Sequence, residues 1–254
     1  MTDLSRGTRG VKKLGQHFLV DRRVLARIGD YASLTGEDRV LEIGPGTGNL
    51  TEVLSARAGK VYAIEVDPVL ASDLEGRYPN VAVTKGDALK VPLPDYNKVV
   101  SNLPYQISSM ITFRLLERPF DLAVLMYQRE FAQRIVASPG SGEYGRLTLN
   151  VSFRAEAEIL ERVPRTAFRP RPQVESAIVR LRPRKTPIPV DERIFFDLTR
   201  ALFSMRRKKV SRSLAAANVS SDALSRIEPA LLDKRPQELT LEDVTGITRA
   251  ISGS

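Results

Sequence analysis

The sequence predicts an α/β fold, with a doubly wound and mostly parallel sheet followed by a small all-α domain at the C-terminal end. Three observations carry this expectation. Short β-rich runs alternate with segments of helical length through the earlier part of the chain. A glycine-rich turn joins the first of those runs to the opening of a helix. From about Lys185 onward strand candidates give way to helical periodicity.

Taken in order, residues 1–20 form a basic arm with Arg6, Arg9, Lys12 and Lys13 and few apolar side chains, expected to stay mobile until something binds it. Asp21 is placed to cap a helix, "DRRVLARIGDYASL", in which Val24, Leu25, Ile28 and Tyr31 share one face. The strand candidates are Arg39–Ile43, Val61–Glu65, Val81–Thr84, Lys98–Ser101 and Leu122–Tyr127. "KTPIPV" then reads as a proline-punctuated linker, which divides the chain into expected domains at 1–185 and 186–254. In the second, Asp191 caps a helix through Phe203 with Ile194, Phe195, Leu198 and Leu202 facing inward, and "VSRSLAAA", "SDALSRI" and "LEDVTGITRAI" follow. The sequence shows no internal repeat and no low-complexity tract.

With 254 residues and 42% hydrophobic content, the chain has material for a sizeable core. No apolar run approaches the roughly 20 residues that span a bilayer, and the start lacks the apolar core of a secretion signal, so a cytoplasmic location without membrane contact is expected. The absence of cysteine excludes disulfides, thiolate zinc sites and cysteine nucleophiles; a single histidine, His17, excludes His-rich metal centres, and no metal is expected. Thirty-nine Lys and Arg against 30 Asp and Glu leave a net charge of +9, which suits a polyanion, RNA foremost, but equally suits plain solubility. Nothing in the sequence demands more than a monomer.

The turn in "VLEIGPGTGNLTEVL" has Gly44, Gly46 and Gly48 at alternate positions, where side chains would block a ligand's approach to the backbone. A dinucleotide fingerprint would need its third glycine at Asn49, and no Lys-Ser or Lys-Thr follows, so neither that fingerprint nor a phosphate-gripping P-loop is present. The pattern suits S-adenosylmethionine, whose methionine end is zwitterionic and carries no phosphate. Glu65 ends the second strand 21 residues after Gly44, where a carboxylate can accept both ribose hydroxyls of an adenosine. Asp87, after the third strand, can accept from the adenine amine. Each acid alone is as readily a helix N-cap; their joint position at successive strand ends favours binding. Pro45 and Glu42 stay open between fixing the turn and touching the ligand.

"NLPY" follows the fourth strand and so lies on the same rim as the glycine turn. An exocyclic base amine is a poor nucleophile because its lone pair is delocalised into the ring. Two acceptors, the Asn102 side-chain oxygen and the Leu103 backbone carbonyl, would draw its nitrogen toward a geometry with the lone pair aimed at a methyl group, without a strong base. Pro104 offers no backbone donor and disfavours helix at Leu103, keeping that carbonyl available. Tyr105 offers a face on which a base stacks, worth about 1–3 kcal/mol, comparable with the few kcal/mol that flipping a base costs.

These motifs resemble the small-subunit ribosomal RNA adenine dimethyltransferases of the KsgA type. "LGQHFL", "LEIGPGTGNLT", "GDAL", "NLPYQISS", "QREFAQRIVASPGSGEYGRLTLNV" and "FRPRPQVESAIVRL" all look like that family, and the wording is similar to archaeal or eukaryotic-like members. The resemblance implies a Rossmann-like S-adenosylmethionine-dependent methyltransferase domain. It implies that His17 and Leu19 touch the cofactor with Gly44, Gly46, Glu65, Asp87 and Asn102, and that Phe168 closes an aromatic sandwich opposite Tyr105. His17 departs from the asparagine of many members. The implied substrate is a pair of adjacent adenosines in the 3′-terminal hairpin of small-subunit rRNA, each methylated twice on the amine within an immature subunit.

For RNA, Arg162, Arg165, Arg169 and Arg171 flank the aromatic segment, and Arg206, Arg207, Lys208, Lys209 and Arg212 cluster in the tail. At helical spacing 206 and 209 share a face, as do 208 and 212, and the run holds no compensating acid, which favours phosphate contact over a solvated face. Other readings are a large-subunit rRNA adenine methyltransferase of the antibiotic-resistance type, against which the late motif and the tail argue, and a non-catalytic assembly factor that keeps the fold. A DNA adenine methyltransferase usually has proline at the Leu103 position.

Overall fold

Apolar strand runs bounded by turn residues cannot bury both faces alone, so they collect into a sheet with helices over it. The computed structural model of the chain describes residues 16–253; of the basic arm, residues 1–15 with Arg6, Arg9, Lys12 and Lys13 lie outside the described residues, and residues 16–20 contain β1. In chain order the first elements are β1 (Phe18–Leu19), α1 (Arg22–Ala32), β2 (Arg39–Ile43), α2 (Asn49–Ser55), β3 (Lys60–Glu65), α3 (Pro68–Leu74), β4 (Val81–Lys85), β5 (Lys98–Asn102), α4 (Ser108–Leu116), β6 (Leu122–Gln128) and α5 (Arg129–Ile135). Then come α6 (Arg146–Arg154), β7 (Ala155–Val163), β8 (Phe168–Arg169) and β9 (Ser176–Pro183). The helices α7 (Glu192–Ser204), α8 (Val210–Ala216), α9 (Ser221–Ser225), α10 (Pro229–Asp233) and α11 (Leu241–Ser252) complete the chain.

Seven strands form one sheet in the order β4-β3-β2-β5-β6-β9-β7, and β1 and β8 form a separate antiparallel pair. Neighbours from β4 to β6 run parallel, and β9 returns antiparallel to β6. The five expected strands are all present, each within a residue or so of its expected ends. The chain winds outward from β2 to β4 and then restarts on the other side of β2 at β5, which makes β2/β5 the topological switch point where ligands bind in such sheets.

Helix α1 forms as its sequence dictates. The Asp21 carboxylate accepts from the backbone N–H groups of Arg23 and Val24, and Val24, Leu25 and Ile28 are buried. They pack with Leu50, Leu54, Val100, Val124 and Phe168 into the core on that side of the sheet.

The chain divides into two compact units, one comprising the described chain through Ala132 with Glu158–Arg182, the other Gln133–Ala157 with the chain from Pro183 onward. The helical unit therefore includes a segment upstream of the linker, which a single cut at 185 leaves out. The reason is aromatic packing: Phe153 of α6 stacks on Phe195 of α7 with ring centroids 4.2 Å apart, and Phe196 meets both edge-on. Leu149, Leu198, Leu202, Val210 and Leu214 close the same core. Helix α7 follows its expected cap, with Asp191 accepting from the N–H groups of Arg193 and Ile194.

Candidate active site

The site grows from the parting of β2 and β5. They pair side by side at Val40↔Lys98 and Leu41↔Val99. Beyond these residues the buried Ser101 hydroxyl takes over, donating to the Ile43 carbonyl at 2.6 Å and accepting from the Ile43 N–H at 3.3 Å. A cavity of 630 Å³ opens at these strand ends, a volume within the usual range for small-molecule sites.

The glycine turn lines it in a left-handed course, with φ of 66° at Gly44, 58° at Gly46 and 82° at Gly48. All three positions are also crowded for a side chain, Gly48 by the Leu74 side chain at 2.9 Å. A Cβ on Gly44 would lie 3.0 Å from the Pro104 ring, and one on Gly46 would lie 2.7 Å from the Phe18 ring. The turn is thus gripped by "NLPY" on one side and by β1 on the other.

His17, Leu19, Gly44, Gly46, Glu65, Asp87, Asn102, Leu103 and Tyr105 all line this cavity, so the structure brings together nearly all of the expected site. Glu65 is buried, and its two oxygens accept from the N–H groups of Gly46 at 2.9 Å and Asp67 at 3.0 Å. Each oxygen keeps a second lone pair for a ligand hydroxyl. Asp87 accepts from the Leu89 N–H and lies 3.6 Å from the Lys90 ammonium, so it serves as turn cap and cavity wall at once. Glu42 also lines the cavity, buried, with the Thr51 hydroxyl donating to it at 2.7 Å. Burial, with a smaller push from Glu65, raises its carboxyl to about 8, so the acid left open between two roles is a neutral hydrogen-bonded group at pH 7.

Asn102 ends β5 with its Nδ2 donating to the His17 carbonyl at 3.4 Å, which turns Oδ1 the other way. That oxygen is buried and has no hydrogen-bond partner. A buried acceptor without a donor costs about 1–3 kcal/mol, so a ligand that offered a donor at this point would relieve that cost. Tyr105 opens a 3₁₀ turn, Tyr105–Ile107, and its phenol meets the Ser176 hydroxyl at 2.6 Å. The His17 ring lies 6.3 Å from the Tyr105 ring at 33°, held by a hydrogen bond from Nδ1 to the Pro170 carbonyl at 2.9 Å.

Phe168 is the exception. Its side chain is fully buried in the core with Leu19, Val163 and Ile178 and is not part of the cavity lining. Pairing of β8 with β1 aligns Leu19 with Phe168 and sends both inward, leaving Arg169 exposed. The aromatic ring near Tyr105 is the tilted one of His17, and the expected sandwich with Phe168 does not form in this structure.

The tail cluster is also rearranged. Helix α7 ends at Ser204 and α8 starts at Val210, so residues 205–209 form a turn and 206 and 209 share no helix face. Arg206 is half-buried and donates to the carbonyls of Ser141 and Gly142. Lys209 pairs with Asp233 at 2.7 Å, an acid far along the chain that the local run could not reveal. Among the described residues no ion pair engages Arg207, Lys208 or Arg212, all exposed. No described helix is long and apolar enough to cross a membrane.

The ribosomal RNA adenine dimethylase family model matches residues 7–247. The chain belongs to that family. A probable ribosomal RNA small subunit methyltransferase A of Methanothermobacter thermautotrophicus is 49% identical over 254 residues, 96% of this chain and 92% of the relative. A dimethyladenosine transferase from Plasmodium falciparum has the same fold with a TM-score of 0.82 at 32% identity, covering 91% of this chain and 95% of that one. The 23S rRNA methyltransferase ErmE follows at 0.65 and 31% identity, covering 91% and 99%. Family membership thus agrees with the Rossmann-like methyltransferase fold and with the archaeal character of the motifs.

Sequence reasoning missed Phe18, Thr51, Ser101 and Ser176. Phe18 lies inside the quoted "QHFL", and its distance from Gly46 along the chain hides their contact. The three hydroxyls carry no pattern of their own, since each acts on a partner strand or helix.

Proposed function

We propose that this protein transfers methyl groups from S-adenosylmethionine to the exocyclic amine of adenosines in small-subunit rRNA. The observation that carries the reading is the unpartnered Asn102 Oδ1, buried at the rim of a cavity whose other walls suit an adenosyl ligand. When bound, the cofactor supplies an electrophilic methyl group on a sulfonium. Glu65 would accept the ribose hydroxyls, Asp87 the adenine amine, and the glycine turn would admit the ligand against bare backbone. Asn102 Oδ1 and the Leu103 carbonyl would accept from the target amine and hold its lone pair in line. Tyr105 would offer its face to the flipped base, with the His17 ring across from it.

The substrate would be the two adjacent adenosines of the 3′-terminal hairpin, dimethylated on the immature small subunit in the cytoplasm, by a monomer. Arg207, Lys208 and Arg212, with Arg162, Arg165, Arg169 and Arg171, would meet phosphate. The greater likeness to the dimethyladenosine transferase than to ErmE supports the small-subunit reading over the large-subunit one. The test is incubation with labelled methyl donor and small subunits from a strain lacking the modification, followed by nucleoside analysis. Label in N6,N6-dimethyladenosine of the terminal hairpin is expected. Label elsewhere, or transfer only to large-subunit RNA, would overturn the assignment.

A further inference from the structure

A stacking ring serves a reaction only if its plane is held, because a base that tilts with it carries its amine out of line. Tyr105 opens a short 3₁₀ turn, and a ring hinged at its Cβ keeps a fixed plane only where its far end is held as well. What holds the far end is the 2.6 Å hydrogen bond between the Tyr105 phenol and the Ser176 hydroxyl. We infer that Ser176 is a positioning residue for the target base, fixing the orientation in which Tyr105 presents its face to the cavity. The inference rests on the methyltransferase reading above and extends it to a residue that touches neither cofactor nor substrate.

The setting of Ser176 suits that task. It opens β9, fully buried, in register with Gln128 of β6, and β9 lies between β6 and β7 in the seven-stranded sheet. Next to it the Arg129 N–H donates to the Glu175 carbonyl, and the two side chains form an ion pair at 2.8 Å. The hydroxyl is thereby mounted on a rigid interior strand, the kind of support that keeps a functional side chain within a fraction of an ångström of its place. Burial keeps the Tyr105 phenol protonated well past neutrality, so the contact remains a pair of neutral hydroxyls over the working pH range. The opposite ring, His17, is pinned separately through Pro170, so the two sides of the mouth are held by different anchors.

The test compares Ser176→Ala, Tyr105→Phe and the double variant for methyl transfer to immature small subunits at saturating donor, with donor affinity measured beside it. Each single change removes the same hydrogen bond while leaving the stacking ring, so each is expected to lower turnover of the RNA-bound enzyme about tenfold, the worth of one such bond. Donor affinity stays unchanged, and the double variant is no slower than the slower single. Ser176→Thr, which keeps the hydroxyl, retains wild-type turnover, and it serves with Tyr105→Phe should Ser176→Ala fail to fold. Independent, multiplying losses in the double variant overturn the inference, as does full turnover in Tyr105→Phe or a loss that tracks donor affinity. Absent transfer by the wild-type protein would overturn the functional reading, and the inference with it; intact wild-type transfer with a normal Ser176→Ala would overturn the inference alone.

Discussion

Part of the cavity wall consists of residues at the carboxyl ends of neighbouring parallel strands: Gly44 after β2, Glu65 at the end of β3, Asp87 after β4 and Asn102 at the end of β5. Another part comes from Gln16, His17 and β1, and His17 reaches Pro170 across 153 residues of chain. The first part follows from strand order alone, because a parallel sheet brings successive strand ends to one rim. The second needs β1 to find β8, and that pairing decides which side chains face the cavity and which are drawn into the core. Phe168 shows the consequence, since the same pairing that places His17 at the mouth buries the phenylalanine.

Removing the buried ring tests that division most strongly. Phe168→Ala should cost about 3–5 kcal/mol of stability, the usual loss for a buried phenylalanine, seen as a large drop in Tm. A variant that keeps its Tm but loses base binding would return Phe168 to the cavity and erase the contrast. Gly46→Ala attacks the seam between the two parts, where a Cβ would meet Phe18 in a left-handed backbone position. About 1–2 kcal/mol of backbone strain and a marked loss of donor affinity by calorimetry are expected; unchanged affinity would mean that β1 does not press on the turn.

The strand-end wall was legible because glycines, acids and "NLPY" each sit immediately after an apolar run, so sequence adjacency already encodes spatial adjacency. The segments of β1 and β8 were legible as motifs but their contacts were not. Neither β1 nor β8 has the length to announce itself, and burial of Phe168 depends on a partner 149 residues away by register with Leu19. The intramolecular partners of the tail were hidden for a related reason: Lys209 finds Asp233 and Arg206 finds loop carbonyls only once the helices pack. The segment 133–157 joined the helical unit through Phe153, which no local periodicity ties to Phe195.

A smaller effect belongs to Glu42. Its folded carboxyl binds a proton up to about 8 while the unfolded one releases it near 4.5, so the folded state holds the extra proton in that window. Stability therefore falls as pH rises through it, and the full cost is present above pH 8. Glu42→Gln, always neutral, should match wild type near pH 5 and gain Tm over it progressively toward pH 9; parallel curves would show that Glu42 ionises freely. The smallest effect is in the tail. Substituting Arg207, if it meets phosphate, should lower the slope of log affinity for RNA against log salt by about 0.7–0.9. Arg206→Gln should leave the slope unchanged and lower Tm instead, and a slope indifferent to Arg207, Lys208 and Arg212 would remove this surface from the interface.

The central claim concerns one atom, the unpartnered Asn102 Oδ1, proposed to accept from the target amine. Single-turnover methyl transfer by Asn102→Ala, with donor affinity measured in parallel, tests it directly. The account predicts a fall on the order of 10²–10³ in rate, as for loss of one preorganised polar contact to a reacting group, with donor affinity largely kept. Transfer at the wild-type rate would contradict it.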